Sequence, residues 1–284
     1  MKRFGIGTLA SALAAASIAL GMGTADARNL ETILKEKVIR LGTIPYPPVT
    51  NKDPKTNEWS GFWVDGPKLM FEAAGLKVEY VETKWATFPS GLQSDQFDVF
   101  VGGAFNTPRR AAAVSFSRPV MYMGHSVTIR KEDAGKFKSL SDIDKPGVTI
   151  ATVLGTSGHE YMRQNFKNAT IKALDTGDLT QDSLEVLAGR ADAALQDAFK
   201  VAQVVGRNKE KLVDLFGEKP FYMLPVAYVV SKNNQELLTF VNNLLDWMDT
   251  NEKWNELSKK YKDDLGGIFF IEKEYRPYGG PNAK

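Results

Sequence analysis

The sequence predicts an α/β fold in which mostly parallel strands form a sheet flanked by helices. Apolar strand-like runs alternate with helical segments between residues 38 and 114. After a charged and polar stretch at residues 131–144 and the turn pair Pro146-Gly147, the alternation begins again at Val148. Strand–helix–strand order of this kind is typical of parallel sheets. The restart predicts a sheet in two parts, with a boundary near residues 131–144.

The N-terminus has the pattern of a secretory signal peptide over residues 1–27. A charged start, Met1-Lys2-Arg3, precedes an apolar stretch, and Ala25-Asp26-Ala27 is a small-x-small cleavage site. The alternative is a membrane anchor, but the apolar stretch is rich in Ala and Gly and only marginally long enough to span a bilayer. We expect an exported, soluble chain that starts near Arg28.

Composition excludes several classes of protein. The chain of 284 residues has a formal charge of +2, whereas a nucleic-acid-binding protein needs a basic face. It contains no cysteine, which excludes disulfides, thiolate metal sites and cysteine nucleophiles. Its length allows one large domain or two modest ones, and either can bury a substantial core.

The first part of the chain contains three predicted strands, and the first two are each followed by a helix. The predicted strands are 38–42, 78–81 and 99–101, and the predicted helices are 30–37, a segment from 61–65 to Ala74, and 88–92. Residues 51–60 form a polar turn or hairpin. Three prolines stiffen the loop after the first strand. This loop either holds Tyr46 at the strand end or places it in the core, and Trp85 follows the end of the second strand.

An arginine pair follows the third strand in the stretch 97–124. Gly102-Gly103 ends an apolar strand and lets a ligand approach the backbone. Thr107-Pro108 then begins a short helix, with a capping hydroxyl and a proline at the first helical position. Arg109 and Arg110 follow at once, where open α/β sheets bind small ligands. A guanidinium fork matches a carboxylate, so we interpret this stretch as a binding site rather than a polar turn.

The second part repeats the strand–helix pattern. Its predicted strands are 148–152, 171–174, 191–196 and 225–230, and its predicted helices are 155–166, 184–188, 199–205 and a long amphipathic helix that includes Leu237 and Met248. Thr156 and Ser157 begin a helix, which makes either an anion site or an ordinary helix start. Asp197 stands at a strand exit, as a helix cap or as a ligand for a cation.

Catalytic motifs are absent from the sequence. There are only two histidines, His125 and His159, and neither belongs to a metalloprotease or hydrolase motif. We expect both at the surface or in a first helical turn. No carboxylate cluster suggests a metal, and no nucleotide motif suggests a cofactor, so the sequence predicts neither.

The order of these motifs resembles the periplasmic polar-amino-acid-binding proteins of ABC importers. It runs Y-P-P, G-F-x-V-D, W-x-x-F-x-x-G-L-Q, T-x-x-R, F-S-x-P, G-T-S and G-R-A-D-A-x-x-x-D over nearly the whole chain after the signal peptide. The resemblance implies the type II periplasmic-binding-protein fold, with two lobes joined by two strands. Lobe 1 is then residues 28–121 and 225–284, and lobe 2 is residues 122–224. It further implies a non-enzymatic monomer that delivers an amino acid or related small carboxylate to permease and ATPase subunits.

The resemblance also implies a role for each candidate site residue. Arg110 corresponds to the arginine that binds the ligand α-carboxylate, and Asp197 to the carboxylate that binds the α-ammonium. Tyr46 and Trp85 correspond to the two aromatic residues on either side of the ligand side chain. Gly103, Thr156 and the adjacent Ser157 correspond to residues that make backbone and hydroxyl contacts. Phe105 replaces a hydroxyl residue of the family, while Thr43 and Val153 replace acidic, basic or polar ones. These departures predict a more apolar pocket and a neutral or aromatic ligand.

A second resemblance is to the cyclohexadienyl dehydratases, which share the fold. D-x-P-G-V-T and an A-D-x-x-x-x-D-A stretch are similar to theirs. Those enzymes use a glutamate general acid three residues beyond the aspartate, where this chain has Lys200. A lysine is a poor replacement for that acid, so we favour a binding protein over an enzyme. A ligand sensor or accessory subunit remains a third interpretation.

Overall fold

The computed structural model describes residues 28–217 and 219–265, so the predicted signal peptide and the tail after Leu265 lie outside the described residues. The strands are β1 (Val38–Thr43), β2 (Asn51–Lys52), β3 (Trp59–Ser60), β4 (Lys77–Glu82), β5 (Val99–Phe105), β6 (Val114–Phe116), β7 (Met121–Arg130), β8 (Thr149–Val153), β9 (Thr170–Leu174), β10 (Ala193–Asp197), β11 (Leu212–Asp214) and β12 (Phe221–Ser231).

Helices cover the faces of the sheet. They are α1 (Leu30–Glu36), α2 (Phe62–Ala73), α3 (Phe88–Gln93), α4 (Pro108–Ala113), α5 (Leu140–Ile143), α6 (Ser157–Asn165), α7 (Gln181–Leu187), α8 (Ala198–Arg207), α9 (Gln235–Thr250), α10 (Lys253–Lys260) and α11 (Lys262–Leu265), with a 3₁₀ turn at Lys131–Asp133. Hydroxyl, amide and carboxylate side chains cap the helices that matter for the site. Thr107 accepts from the Arg110 amide, Thr156 from the His159 amide and Asp197 from the Lys200 amide.

One sheet of ten strands runs through the molecule in the order β4-β1-β5-β12-β7-β10-β8-β9, with β6 and β11 attached at the centre. We call β4, β1 and β5 with their helices the first half, and β10, β8 and β9 with theirs the second half. Within each half these strands are parallel, as predicted. The sequence predicts the α/β class correctly.

The centre of the sheet differs from a parallel arrangement. β7 and β12 pair with each other and lie antiparallel to β10 and β5 respectively. β7 was not among the predicted strands, and β12 is longer than the predicted strand 225–230. Each of the two pairs along part of its length with one half and along the rest with the other strand. Each therefore carries the chain from one half to the other. The helix α10 was not predicted either.

The hydrophobic core has one large cluster and two smaller ones. The large cluster fills the first half, and the two smaller clusters lie in the second. Val153, Leu179 and Phe199 of the second half belong to the large cluster. Apolar side chains of the two halves therefore meet across the gap between them. The division into lobes at residues 121–122 and 224–225 stays a prediction.

Candidate functional site

A cavity between the two halves brings the predicted site residues together. It leaves about 390 Å³ free of protein atoms, including its open mouth. Every ligand-binding residue expected from the sequence lines it: Tyr46, Trp85, Gly103, Phe105, Arg110, Thr156, Ser157 and Asp197. Gly102, named together with Gly103 in the sequence, also lines it. The structure adds residues that the sequence analysis missed: Trp63, Met123, Leu179, Gln196 and Val226. Gln196 was recognisable as the neighbour of Asp197 at the same strand exit.

The topology explains why residues so distant in sequence converge. Asp197 ends β10, Phe105 ends β5, and Thr156 follows β8 after a short loop. The carboxyl ends of the parallel strands in each half face the gap, because loops after parallel strands emerge at one edge of a sheet. The two edges together form the cavity.

Arg110 is held in the cavity wall by backbone oxygens from both halves. Its guanidinium donates from Nη1 to the carbonyl of Phe105 (3.1 Å) and from Nη2 to the carbonyl of Gly155 (2.8 Å). Its side chain is only 3% exposed, and burial lowers its pKa to about 10, which leaves it charged at neutral pH. A guanidinium has five N–H donors, so one remains on each of Nη1 and Nη2. That pair can receive a carboxylate bidentately.

Glu160 of α6 lies behind this arginine and was not predicted. Its Oε1 is 3.5 Å from Arg110 Nε, and its Oε2 accepts a hydrogen bond from Thr107 Oγ1 at 2.7 Å. Both partners belong to the first half, whereas Glu160 belongs to the second. The carboxylate therefore balances the buried charge of Arg110 and connects the halves while leaving the Nη pair free.

Asp197 is connected to the opposite wall. It is 4% exposed and accepts a hydrogen bond from the Tyr46 hydroxyl at 2.6 Å. Burial raises the pKa of Asp197, and the hydrogen bond from Tyr46 opposes that shift. Asp197 is the cap of α8, as one of its two interpretations predicted, and it also lines the cavity. Its role as a ligand for a cation stays a prediction.

Lys200 lies beneath Tyr46 rather than in the cavity wall. Its Nζ donates to the Pro47 carbonyl (2.7 Å) and to Gln203 Oε1 (3.0 Å), and lies 4.3 Å from the centre of the Tyr46 ring. Burial lowers its pKa to about 8. The ammonium thus supports the loop that carries Tyr46.

The Pro-rich loop and α8 meet through these contacts, just as α4 and α6 meet through Glu160. Polar contacts therefore join the halves on both sides of the cavity.

The rings of four aromatic residues surround the cavity: Tyr46, Trp63, Trp85 and Phe105. Trp85 Nε1 is a buried donor with no hydrogen-bond partner within residues 28–217 and 219–265. The site combines an aromatic enclosure with one cationic and one anionic end.

A comparison with protein families shows which family this chain belongs to. The family described as "Bacterial extracellular solute-binding proteins, family 3" matches residues 39–264. The chain belongs to this family.

Two curated relatives of this family-3 protein differ in what they do. The cyclohexadienyl dehydratase of Pseudomonas aeruginosa is 28% identical over 211 residues, which cover 74% of this chain and 77% of that protein. The L-cystine-binding protein TcyJ of Escherichia coli K12 is 25% identical over 251 residues, 86% of this chain and 92% of that protein. Sequence similarity alone therefore does not distinguish a binding protein from an enzyme, because this chain is similar to both.

Solved structures confirm the type II periplasmic-binding-protein fold. The ancestral amino acid-binding protein AncCDT-1, a precursor of cyclohexadienyl dehydratase, matches with a TM-score of 0.73 and 30% identity, covering 83% of this chain and 98% of that one. A putative ABC transporter binding component from Wolinella succinogenes, complexed with lysine, matches with a TM-score of 0.71 and 30% identity, covering 84% and 99%.

The structure corrects one expectation about the histidines. His159 is in the first turn of α6, as expected, but His125 is fully buried in β7. The sequence signal was the apolar context of residues 120–129, which belongs to a central strand. Over the described part of the chain, no group of His, Asp and Glu side chains could hold a metal ion, and no helix is long and apolar enough to cross a membrane.

A buried acid supports the cavity from below. Gln196 donates from Nε2 to Asp182 Oδ2 (3.1 Å), and its Oε1 accepts from the Asp197 amide (3.0 Å). Asp182 is fully buried and also accepts from the Ser183 amide at 2.6 Å. Burial raises the pKa of Asp182 to about 8, so this acid is protonated at neutral pH. The orientation of the Gln196 amide is fixed by both bonds.

We expect stability to fall as pH rises through the range set by Asp182. The folded protein keeps this proton up to about pH 8, whereas an unfolded aspartate releases it near pH 4. The free energy of unfolding should therefore drop by about 1.4 kcal/mol per pH unit between pH 5 and 7 from this group. Urea titrations of the wild type and Asp182→Asn at pH 5, 6 and 7 measure the difference. Parallel curves for the two proteins would show that Asp182 is already ionised.

Proposed function

We propose that this protein captures an amino acid or a related small carboxylate between two closing lobes and delivers it to an ABC importer. The observation that carries the proposal is the placement of Arg110, with two open N–H donors, and of Asp197 in one cavity. An α-carboxylate matches the first and an α-ammonium matches the second. The cystine-binding and lysine-bound relatives support an amino-acid ligand for the family.

The lining favours a ligand with a neutral or aromatic side chain. Apart from Arg110 and Asp197, the lining consists of apolar, aromatic, hydroxyl, amide and glycine residues. Aromatic rings contribute large apolar contact areas at such sites. Lys200 adds a buried positive charge close to the Tyr46 ring, which opposes a cationic side chain there.

Delivery to an importer implies that the protein acts in the periplasm. We propose that residues 1–27 are a cleaved signal peptide and that the mature protein is a monomer working with permease and ATPase subunits. The family's extracellular description supports this location. N-terminal sequencing of the periplasmic fraction tests it, and retention of Met1 on that pool would refute cleavage.

Native mass spectrometry of the purified protein tests the ligand. We expect one small molecule per chain, identified after denaturation as an amino acid or a related carboxylate. Isothermal titration of the refolded, ligand-free protein with the twenty L-amino acids should then give a saturable response to that compound. If the ligand is lysine or arginine, the prediction of a neutral side chain is wrong, but the proposal of an amino-acid ligand stands. If no amino acid or related carboxylate binds, the proposed function is wrong.

The dehydratase alternative has support in the Pseudomonas relative and is tested separately. The residue in the place of the general acid, Lys200, directs its ammonium to Pro47 and Gln203 and is not among the residues that line the cavity. We therefore expect no conversion of prephenate or arogenate. Product formation by the wild type above that of Lys200→Ala, measured by chromatography, would overturn the binding-protein proposal.

A further inference from the structure

His125 and Ser157 form a hydrogen-bonded pair at the edge of the cavity. The hydroxyl of Ser157, the first residue of α6, lies 2.7 Å from His125 Nε2. The other ring nitrogen, Nδ1, lies 3.2 Å from the carbonyl oxygen of Tyr222. Ser157 lines the cavity, whereas the ring of His125 is fully buried behind it.

The two neighbours of the ring determine where its proton lies. A carbonyl oxygen can only accept, so Nδ1 must carry the hydrogen that faces Tyr222. A neutral imidazole has a single N–H, so Nε2 is then an acceptor and takes the proton of the Ser157 hydroxyl. Burial lowers the pKa of His125 to about 4, and the charge of Arg110 adds to that shift. The ring is therefore neutral at pH 7.

A serine that donates to histidine also has the arrangement of a nucleophile with its base. Two features of the structure oppose that role. A general base works best with a pKa near the working pH, whereas burial lowers the pKa of His125 to about 4. Its Nδ1 faces a carbonyl rather than a carboxylate, so an imidazolium would gain little stabilisation.

The hydrogen-bonding direction of the Ser157 hydroxyl matters for binding, because its only proton is donated to His125 Nε2. Its oxygen can then only accept hydrogen bonds from the cavity. In the strand pairing, His125 lies directly opposite Asp197, which puts the serine's partner beside the anionic end of the site. Phe105 packs its ring 4.7 Å from the imidazole and offers no hydroxyl there. The histidine that holds Ser157 is thus the strand neighbour of Asp197, while the loop before Ser157 also meets Arg110 through the Gly155 carbonyl.

We propose that His125 is a positioning residue that fixes Ser157 Oγ as a hydrogen-bond acceptor, and that the group meeting it is the α-ammonium of the ligand. The ligand half of this proposal rests on the proposed function. The hydroxyl of Ser157 then discriminates an amino acid from the corresponding 2-oxo acid, which carries no donor at that carbon. The tautomer half stands on the protein alone.

Nuclear magnetic resonance of the imidazole nitrogens tests the tautomer half without any ligand. The chain has only two histidines, so a His159→Gln variant assigns both signals. At pH 7 we expect His125 to show a protonated Nδ1 and a bare Nε2. In Ser157→Ala the Nε2 signal should shift because its donor is lost. An Nε2–H tautomer or an imidazolium in the wild type would overturn the proposal.

Calorimetric titration tests the ligand half with defined probes. These are the L-amino acid that binds most tightly among the twenty and the 2-oxo acid with the same side chain. Removing a hydrogen bond to a charged group costs about 1.5–3 kcal/mol, so Ser157→Ala should weaken the amino acid about tenfold or more. The 2-oxo acid should change by less than about twofold, because it makes no such bond. Equal losses would show that Ser157 donates to the carboxylate, and no loss would show that it does not contact the ligand; both overturn the proposal.

Variants of His125 separate positioning from a purely structural role. Gln can place an acceptor oxygen near the Nε2 position, whereas Leu cannot. We expect His125→Gln to retain most of the discrimination between amino acid and 2-oxo acid and His125→Leu to lose it, with thermal unfolding reporting the stability of each. Identical discrimination in the two variants would contradict the role of His125. A stoichiometric adduct of Ser157 with diisopropyl fluorophosphate would instead identify a nucleophile. If no amino acid binds the wild type, the proposed function fails while the resonance experiment still decides the tautomer.

Discussion

Replacing Arg110 by alanine should weaken ligand binding by roughly thirtyfold or more. The guanidinium is buried and has an unused N–H on each Nη, and we expect those two groups to hold the ligand carboxylate. Truncating one partner of a buried charge pair costs about 2–5 kcal/mol. Isothermal titration with the amino acid identified by mass spectrometry measures the loss. Arg110→Lys keeps the charge but not the fork, so it should recover only part of the affinity.

Arg109 is the matched control for this experiment. It stands beside Arg110 on α4 but is exposed to solvent, so Arg109→Ala should cost little, like other surface charges. Because Arg110 also balances Glu160, thermal unfolding of each variant separates loss of binding from loss of stability. If Arg109→Ala abolishes binding while Arg110→Ala is silent, the assignment of the clamp is wrong by one residue. If neither matters, the ligand is not a carboxylate.

The second large effect is expected from Gly155→Ala. Gly155 has φ +80°, and a Cβ there would lie 2.5 Å from Ala86 Cα, which belongs to the opposite half. The neighbour is backbone and cannot turn aside, so the approach of the two halves in this structure is disfavoured. Because we propose that the lobes close over the ligand, a clash of about 1–3 kcal/mol that exists only in this close arrangement should lower ligand affinity by about fivefold to a hundredfold. Titration calorimetry gives the affinity, and small-angle X-ray scattering shows whether the variant stays open with ligand present.

Gly147→Ala provides the control for backbone strain. Gly147 has φ +83°, nearly the same conformation, but nothing lies within 4 Å of a Cβ built there. Alanine in this conformation costs about 1–2 kcal/mol of stability at either position. We expect both variants to unfold at a lower temperature and only Gly155→Ala to lose affinity. Normal ligand affinity and closure in Gly155→Ala would show that the halves do not meet here when ligand is bound.

The sequence by itself determined the fold class and most of the candidate site. Alternating apolar runs and helix caps such as Thr107 depend on residues that are close in sequence, so they can be recognised from the sequence alone. The stretch after the third predicted strand was expected to face a ligand because strand ends share an edge of a parallel sheet, whereas Asp197 was assigned to the ligand by the family resemblance. Gly103 and Arg110 of that stretch and Asp197 line one cavity in the structure.

Tertiary structure alone decided which groups pair across that cavity. The contact between Tyr46 and Asp197 joins residues 151 positions apart, and the one between Thr107 and Glu160 joins residues 53 apart. No periodicity or spacing encodes such pairs, because they depend on how closely the two halves approach. The protonated Asp182 and the neutral His125 have the same origin, since their pKa values depend on burial by elements distant in sequence. The sequence therefore specified which chemical groups reach the site, and the packing of the halves set their charge and their hydrogen-bonding direction.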